Sequence, residues 1–278
     1  MILQNILNEI ENVDAEVYER LEHVSRRNMF QTFMKKAMKG AAAGAPVVFA
    51  SMLNKAYAGQ EDIVDVLNFA LTLEYLEAEF YNVGLAQPNL LPAGSMARTI
   101  YTQIALHENE HVKLLIGALG GLKTAGGAAI LKPDFDLTYK GAFANVLSDY
   151  NTYLAVSQAL EDTGVRAYKG QAPRLIGTST PAVPSVLEVA LQIHSVEARH
   201  AARVRYLRGY KGWITNEDTS NIPGVGAVYK GDNMVTQAGI NVSSITGISP
   251  DTISESFDEP LTKEQVLAIA TPFIVKFN

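Results

Sequence analysis

Apolar residues recur three and four positions apart in four stretches of the chain, the spacing that puts side chains on one face of an α-helix. In residues 60–84 the stripe runs through Ile63, Leu67, Ala70 and Tyr81, and is interrupted by Glu74 and Glu77. In residues 95–119 it runs through Tyr101, Ile104, Leu115 and Ala118, interrupted by Glu108 and His111. In residues 141–170 it takes in Leu147, Tyr150, Leu154, Ser157, Val165 and Tyr168, with Glu161 among them. In residues 186–209 it takes in Leu187, Ala190, Val204 and Leu207, with His194, Glu197 and His200. Gly84, followed by Pro88 and Pro92, closes the first stretch, and Pro173, Pro181 and Pro184 mark the connection before the fourth. The connection over residues 120–140 carries Gly120-Gly121, Gly126-Gly127 and Lys132-Pro133, with too little alternation for a sheet. Its length suits a crossover that lets the second and third helices run parallel. The pattern predicts an all-α protein, a four-helix bundle over residues 59–210. An irregular C-terminal extension over residues 211–278 follows, rich in Gly, Ser, Thr, Asn and Asp, with a short helix at 262–274. Trp213, the single tryptophan, is expected to anchor that extension.

Residues 2–24 form another amphipathic stripe, through Ile2, Ile6, Ile10, Val13, Val17 and Leu21. Then come Ser25-Arg26-Arg27-Asn28-Met29-Phe30, the basic Lys35, Lys36 and Lys39, a mildly apolar run over 41–53, and Ala56-Tyr57-Ala58. Paired arginines, a weakly hydrophobic segment and an A-x-A site resemble a twin-arginine export leader. Residues 1–58 are therefore expected to direct the folded chain out of the cytoplasm, to the periplasm. The alternative is an extra pair of N-terminal helices on the bundle.

Composition narrows the chemistry. A net charge of −6 without a basic cluster in the body of the chain argues against nucleic acid as a partner. No window is long and apolar enough for a membrane span. The absence of cysteine excludes disulfides, thiolate zinc sites and iron–sulfur clusters. Any metal must be held by His, Asp, Glu or backbone oxygen, which favours iron or manganese.

The interruptions of the apolar stripes carry the chemistry. A carboxylate on a buried face is costly unless it is paired or bound to metal. Glu108 with His111, and Glu197 with His200, are Glu-x-x-His pairs whose members project one turn apart from one helix face. Each follows a stretch with its own inward glutamate, Glu74 or Glu161, and a tyrosine seven residues on, Tyr81 or Tyr168. The two halves repeat at nearly equal offsets, 87 from Glu74 to Glu161 and 89 from Glu108 to Glu197. Four carboxylates and two imidazoles from four helices are the donor set of a dinuclear metal centre: Glu74, Glu108, His111, Glu161, Glu197 and His200. Glu77 also faces inward and could replace or supplement Glu74. Glu79, Glu110, Asp162 and His107 fall off the ligand faces, the last rotated about 100° from Glu108. His194 has no counterpart in the first half and reads as a core residue or a neighbour of the ligands. Arg199, Arg203, Arg205 and Arg208 read as solvated. Tyr81 and Tyr168 are either partners of the ligand glutamates or core tyrosines, the core reading being preferred.

With these motifs, residues 60–210 resemble the ferritin-like superfamily of di-metal carboxylate proteins. The stretch Leu67-Asn-Phe-Ala-Leu-Thr-Leu-Glu-Tyr-Leu-Glu-Ala-Glu-Phe-Tyr81 is similar to exported ferritin-like domain proteins related to plant desiccation proteins. The resemblance implies that Glu74 and Glu161 are terminal carboxylates, that Glu108 and Glu197 bridge two ions, and that His111 and His200 each hold one. The expected cofactor is a pair of metal ions, iron or iron with manganese. The expected activity is an oxidoreductase or ferroxidase acting on O₂ or peroxide under oxidative or desiccation stress. Manganese catalase, and a stress-protective scaffold with structural or absent metal, are the alternatives. A homo-oligomer is possible; a storage cage is disfavoured by the long extension.

Overall fold

The computed structural model describes residues 60–176 and 185–278; the leader read at residues 1–58 lies outside the described residues, as do Pro181 and Pro184. Four long helices make the bundle: α1 (Gln60–Ala86), α2 (Met96–Ala118), α3 (Tyr150–Gln171) and α4 (Val186–Leu207). Three begin on a side-chain cap. Ser95 accepts from the Arg98 N–H, Asp149 from Thr152, and Ser185 from Glu188, each satisfying a donor that the first helical turn leaves free.

α1 pairs with α2 and α3 with α4 as helical hairpins. Their relative direction is read from hydrogen bonds. Tyr81 of α1 bonds Glu161 of α3, while Tyr168, seven residues further along α3, bonds Glu74, seven residues earlier in α1. α1 and α3 are thus antiparallel, so α2 and α3 run parallel, as the long crossover requires.

Three boundaries differ from the sequence expectation. α1 passes through Gly84 to Ala86; the glycine is a packing site rather than a stop, because a Cβ there would lie 2.3 Å from the Tyr153 hydroxyl. α3 starts at Tyr150, not near 141. Residues 136–149 fold into turns, in which the Asp136 carboxylate accepts from the backbone of Thr138 and Lys140, before Asp149 caps the helix. The last helix is Lys263–Ala270 and ends in a 3₁₀ turn at Thr271–Phe273, because Pro272 brings no N–H. The crossover, read as free of strands, carries β1 (Asp134–Phe135), which pairs antiparallel with β4 (Ile274–Lys276) at the C-terminus.

The extension contains short helices α5 (Gly226–Tyr229), α6 (Val242–Thr246), α7 (Pro250–Ser254) and α8 (Lys263–Ala270), and a hairpin of β2 (Thr236–Gln237) with β3 (Ile240–Asn241). It packs on the outer faces of α1 and α3, where Phe69, Leu73 and Ala167 meet Val228, Leu261 and Val266. α3 is consequently buried on all sides: from Tyr153 to Tyr168 only Ala155 is not fully covered. Its polar residues on this side find partners in the extension. Arg166 donates to the carbonyls of Glu259 (2.7 Å), Lys230 (2.8 Å) and Val228, and lies 3.4 Å from Asp232. A Cβ at Gly170 would meet the Leu261 carbonyl oxygen at 1.9 Å, so glycine lets the extension cross here. Arg205, expected in solvent, is buried and pairs with Asp162 at 2.5 Å, a carboxylate that also accepts from Tyr229. Arg208 is half-buried and bonds Gln158 and the Ser220 carbonyl. Arg199 and Arg203 are exposed. Trp213 is 53% exposed and its indole bonds Glu255 within the extension, so it is Arg166 and Tyr229 that tie the extension to the bundle. No helix among the described residues is long and apolar enough to cross a membrane.

Candidate metal centre

All four bundle helices send polar side chains to one point in the core. Glu74 comes from α1, Glu108 and His111 from α2, Glu161 from α3, and Glu197 and His200 from α4. Their donor atoms form two overlapping groups. Glu74, Glu108, His111 and Glu197 make one, and Glu108, Glu161, Glu197 and His200 the other; in each, one atom per residue lies within 4.8 Å of all the rest. Glu108 and Glu197 belong to both groups and lie between them. His111 Nδ1 is 3.1 Å from Glu74, 3.0 Å from Glu108 and 3.3 Å from Glu197. His200 Nδ1 is 2.9 Å from Glu108 and 3.3 Å from Glu161. The four glutamates are completely shielded from solvent.

A family model for the ferritin-like domain matches residues 62–210, more than half of the chain. The chain belongs to the ferritin-like domain family. No curated protein matches the chain.

Members of a fold that implies metal should offer buried donors in excess of their internal hydrogen bonds, and this ferritin-like chain does. Glu108 Oε1, Glu161 Oε2 and Glu197 Oε1 are buried with an imidazole nitrogen at 2.9–3.3 Å but no well-aligned hydrogen bond, and Glu197 Oε2 is buried with no hydrogen bond among the described residues. An ionised carboxylate in that condition costs several kcal/mol, and a cation between the two groups would meet these oxygens. The buried Glu and His groups can hold a metal ion.

The electrostatics of the cluster point the same way. Burial and the charge of Glu74 push the Glu108 carboxyl up to about 7, against the pull of His111 and His200. Burial and Glu108 push Glu197 well above the usual carboxylate range. Burial pushes Glu74 up, but His111 together with hydrogen bonds from Glu108 and Tyr168 outweighs it and holds the carboxyl below its usual range. Burial alone would lower both histidines, but the surrounding carboxylates, Glu161 foremost, hold His200 up to about 11, and Glu74 foremost holds His111 higher still. Without metal the cluster therefore keeps protons on its imidazoles and some of its carboxyls.

A metal ion must displace those protons, so affinity should climb as pH rises from 6 to 8. Calorimetric titration with Mn²⁺ in two buffers of different ionisation enthalpy should show net proton release on binding. An affinity flat across that range would contradict this picture of the site.

Three residues outside the expected set bear on the site. Tyr81 donates to Glu161 at 2.5 Å and Tyr168 donates to Glu74, each tyrosine serving the glutamate of the other half. The preferred reading of both as plain core tyrosines is therefore corrected; their matching seven-residue offsets were the available signal. Burial and the adjacent carboxylates raise both phenols well above their ordinary range, so they remain donors. His107 is outside both ligand groups, as its rotation predicts, but its Nδ1 is 2.9 Å from His200 Nε2 and the rings stack.

Between Glu74 and Glu77, the geometry selects Glu74 for the ligand group. Glu77 is a fifth buried carboxyl beside it, raised well above its usual range by burial and by Glu197, Glu161, Glu108 and Glu74. Its room is made by Gly164, where a Cβ would lie 3.2 Å from Glu77 Oε1 and 3.3 Å from Glu197 Oε2. Gly164 follows Glu161 by three residues as Glu77 follows Glu74, so the position matching Glu77 in the other half carries no side chain. Glu110 is exposed, Glu79 pairs with Lys132, and Asp162 faces Arg205; His194 is in neither group.

Proposed function

We propose that this protein holds a dinuclear centre of iron, or iron with manganese, and acts as an oxidoreductase or ferroxidase on O₂ or peroxide in oxidative or desiccation stress. The observation that carries this is the pair of overlapping donor groups that share Glu108 and Glu197. Glu74 and His111 would complete one position, Glu161 and His200 the other. Four carboxylates balance two divalent ions and favour a more oxidised pair, which is the chemistry such ions supply when bound.

The chain's own residues prepare that site. Tyr81 and Tyr168 fix Glu161 and Glu74 by hydrogen bonds to one oxygen of each, and turn the second oxygen toward His200 and His111 among the other donor atoms. The buried glutamates lie in a core closed to bulk water, where electrostatic interactions are strong. An apolar cavity of about 20 Å³, walled by Leu67, Ala70, Leu115, Ile193 and Tyr168, lies beside Glu74's hydrogen-bond partner. It has room for about one water-sized molecule. The twin-arginine pattern supports action outside the cytoplasm.

The test is to purify the chain from its native compartment, determine its metals, and follow Fe²⁺ oxidation and the consumption of O₂ and peroxide. About two redox ions per chain, with turnover that disappears on chelation, would support the proposal. Peroxide disproportionation by a manganese-only protein would replace it with a catalase. Folded protein carrying no metal would replace it with a scaffold.

A further inference from the structure

The two halves of the site are not equivalent, and His107 makes the difference. A histidine that binds metal through one nitrogen donates the N–H of the other outward, and what accepts it fixes the tautomer and the ring. His200 turns Nδ1 toward Glu108 and Glu161, and its Nε2 lies 2.9 Å from His107 Nδ1. The rings are parallel to within 13° with centroids 5.1 Å apart. His107 in turn has Nε2 at 2.6 Å from the side-chain amide nitrogen of exposed Gln103. With a metal ion on His200 Nδ1, His200 Nε2 carries the ring proton and donates to His107 Nδ1. His107 Nε2 then carries the other proton, and Gln103 accepts it once its amide turns to present the oxygen in place of the nitrogen.

His111 has no such support. Its Nδ1 faces Glu74, Glu108 and Glu197, and no side chain among the described residues hydrogen-bonds its Nε2. The repeat explains why. With Glu108 matched to Glu197, the counterpart of His107 is Val196, which has no hydrogen-bonding side chain.

We infer that His107 is a positioning residue that orients His200 and makes the Glu161/His200 position the tighter of two unequal metal positions. This rests on the dinuclear reading of the site. The experiment titrates metal-free full-length protein with Mn²⁺, and separately with Co²⁺ to read its ligand-field bands, for the unsubstituted chain, His107→Ala and His107→Asn. Two ions should bind the unsubstituted chain in separable steps. His107→Ala should weaken one ion by about 10–100-fold, the usual effect of losing a partner behind a metal ligand. It should also shift the Co²⁺ bands of that ion and leave the second ion unchanged. His107→Asn, whose amide oxygen can accept from His200 but cannot stack, should recover most of the loss. Equal affinities in His107→Ala and the unsubstituted chain, equal weakening of both ions, or no recovery with Asn would overturn the inference while leaving the dinuclear centre intact. Failure of the unsubstituted chain to bind metal would overturn the centre itself.

Discussion

Glu108→Gln should abolish the stabilisation that metal confers on this protein. Glu108 is a member of both donor groups, with one oxygen 3.0 Å from His111 and the other 2.9 Å from His200. The amide keeps the shape but offers one weak donor oxygen and no charge. Both positions lose affinity, by more than the ~10–100-fold that removal of an outer partner costs. In the unsubstituted protein, each ion held at a hundred times its dissociation constant contributes about 2.7 kcal/mol. At about 2–4 °C per kcal/mol for a domain of this size, chelation should lower Tm by roughly 5–11 °C per ion. In Glu108→Gln the loaded and chelated melting curves should coincide. The metal-free variant should be no less stable than the metal-free parent, because the lost charge sat among Glu74, Glu161 and Glu197 at a position where ionisation was already suppressed. Melting curves with and without chelator check both statements. A variant that remains as sensitive to chelation as the parent would show that Glu108 is not shared between ions.

Arg166→Ala should release the C-terminal extension. The guanidinium of Arg166 is buried in α3 and bonds three backbone carbonyls of the extension, with Asp232 alongside. Truncation leaves those carbonyls without donors and Asp232 without its cation. Breaking a buried charge pair in this way costs roughly 3–5 kcal/mol, or about 6–20 °C in Tm for a domain of this size. The damage should be local first. Limited proteolysis should cut within residues 211–278 before the bundle, because α1, α2 and α4 keep their mutual packing. Metal binding should persist in the folded fraction, since the six candidate ligands all belong to α1–α4. Cleavage spread evenly over bundle and extension would show instead that Arg166 supports the whole fold.

The bundle and its donor set were legible because helical period and burial act within a short stretch of chain. Glu108 and His111 share a helix face whatever surrounds them, and so do Glu197 and His200. A carboxylate repeated on an apolar face, with a matched copy in the other half, carries its meaning locally. The limits of α3 were less legible. The apolar spacing continues upstream of Tyr150, but the Asp136 turns and the Asp149 cap depend on hydrogen bonds that a stripe of apolar residues does not encode.

What the sequence by itself determined was therefore the four-helix architecture, the parallel course of the second and third helices, and six inward donors. Tertiary structure decided everything that depends on which helix stands opposite which. It put Tyr81 on Glu161 and Tyr168 on Glu74, turned Arg205 from an apparent surface cation into the partner of Asp162, and made Gly164 the space for Glu77. It also set Glu74 rather than Glu77 in the donor group. Period within one helix fixes a direction in space, but the partner met in that direction is set by the register between helices. That register depends on packing summed over the whole core, which no single stretch of this chain contains.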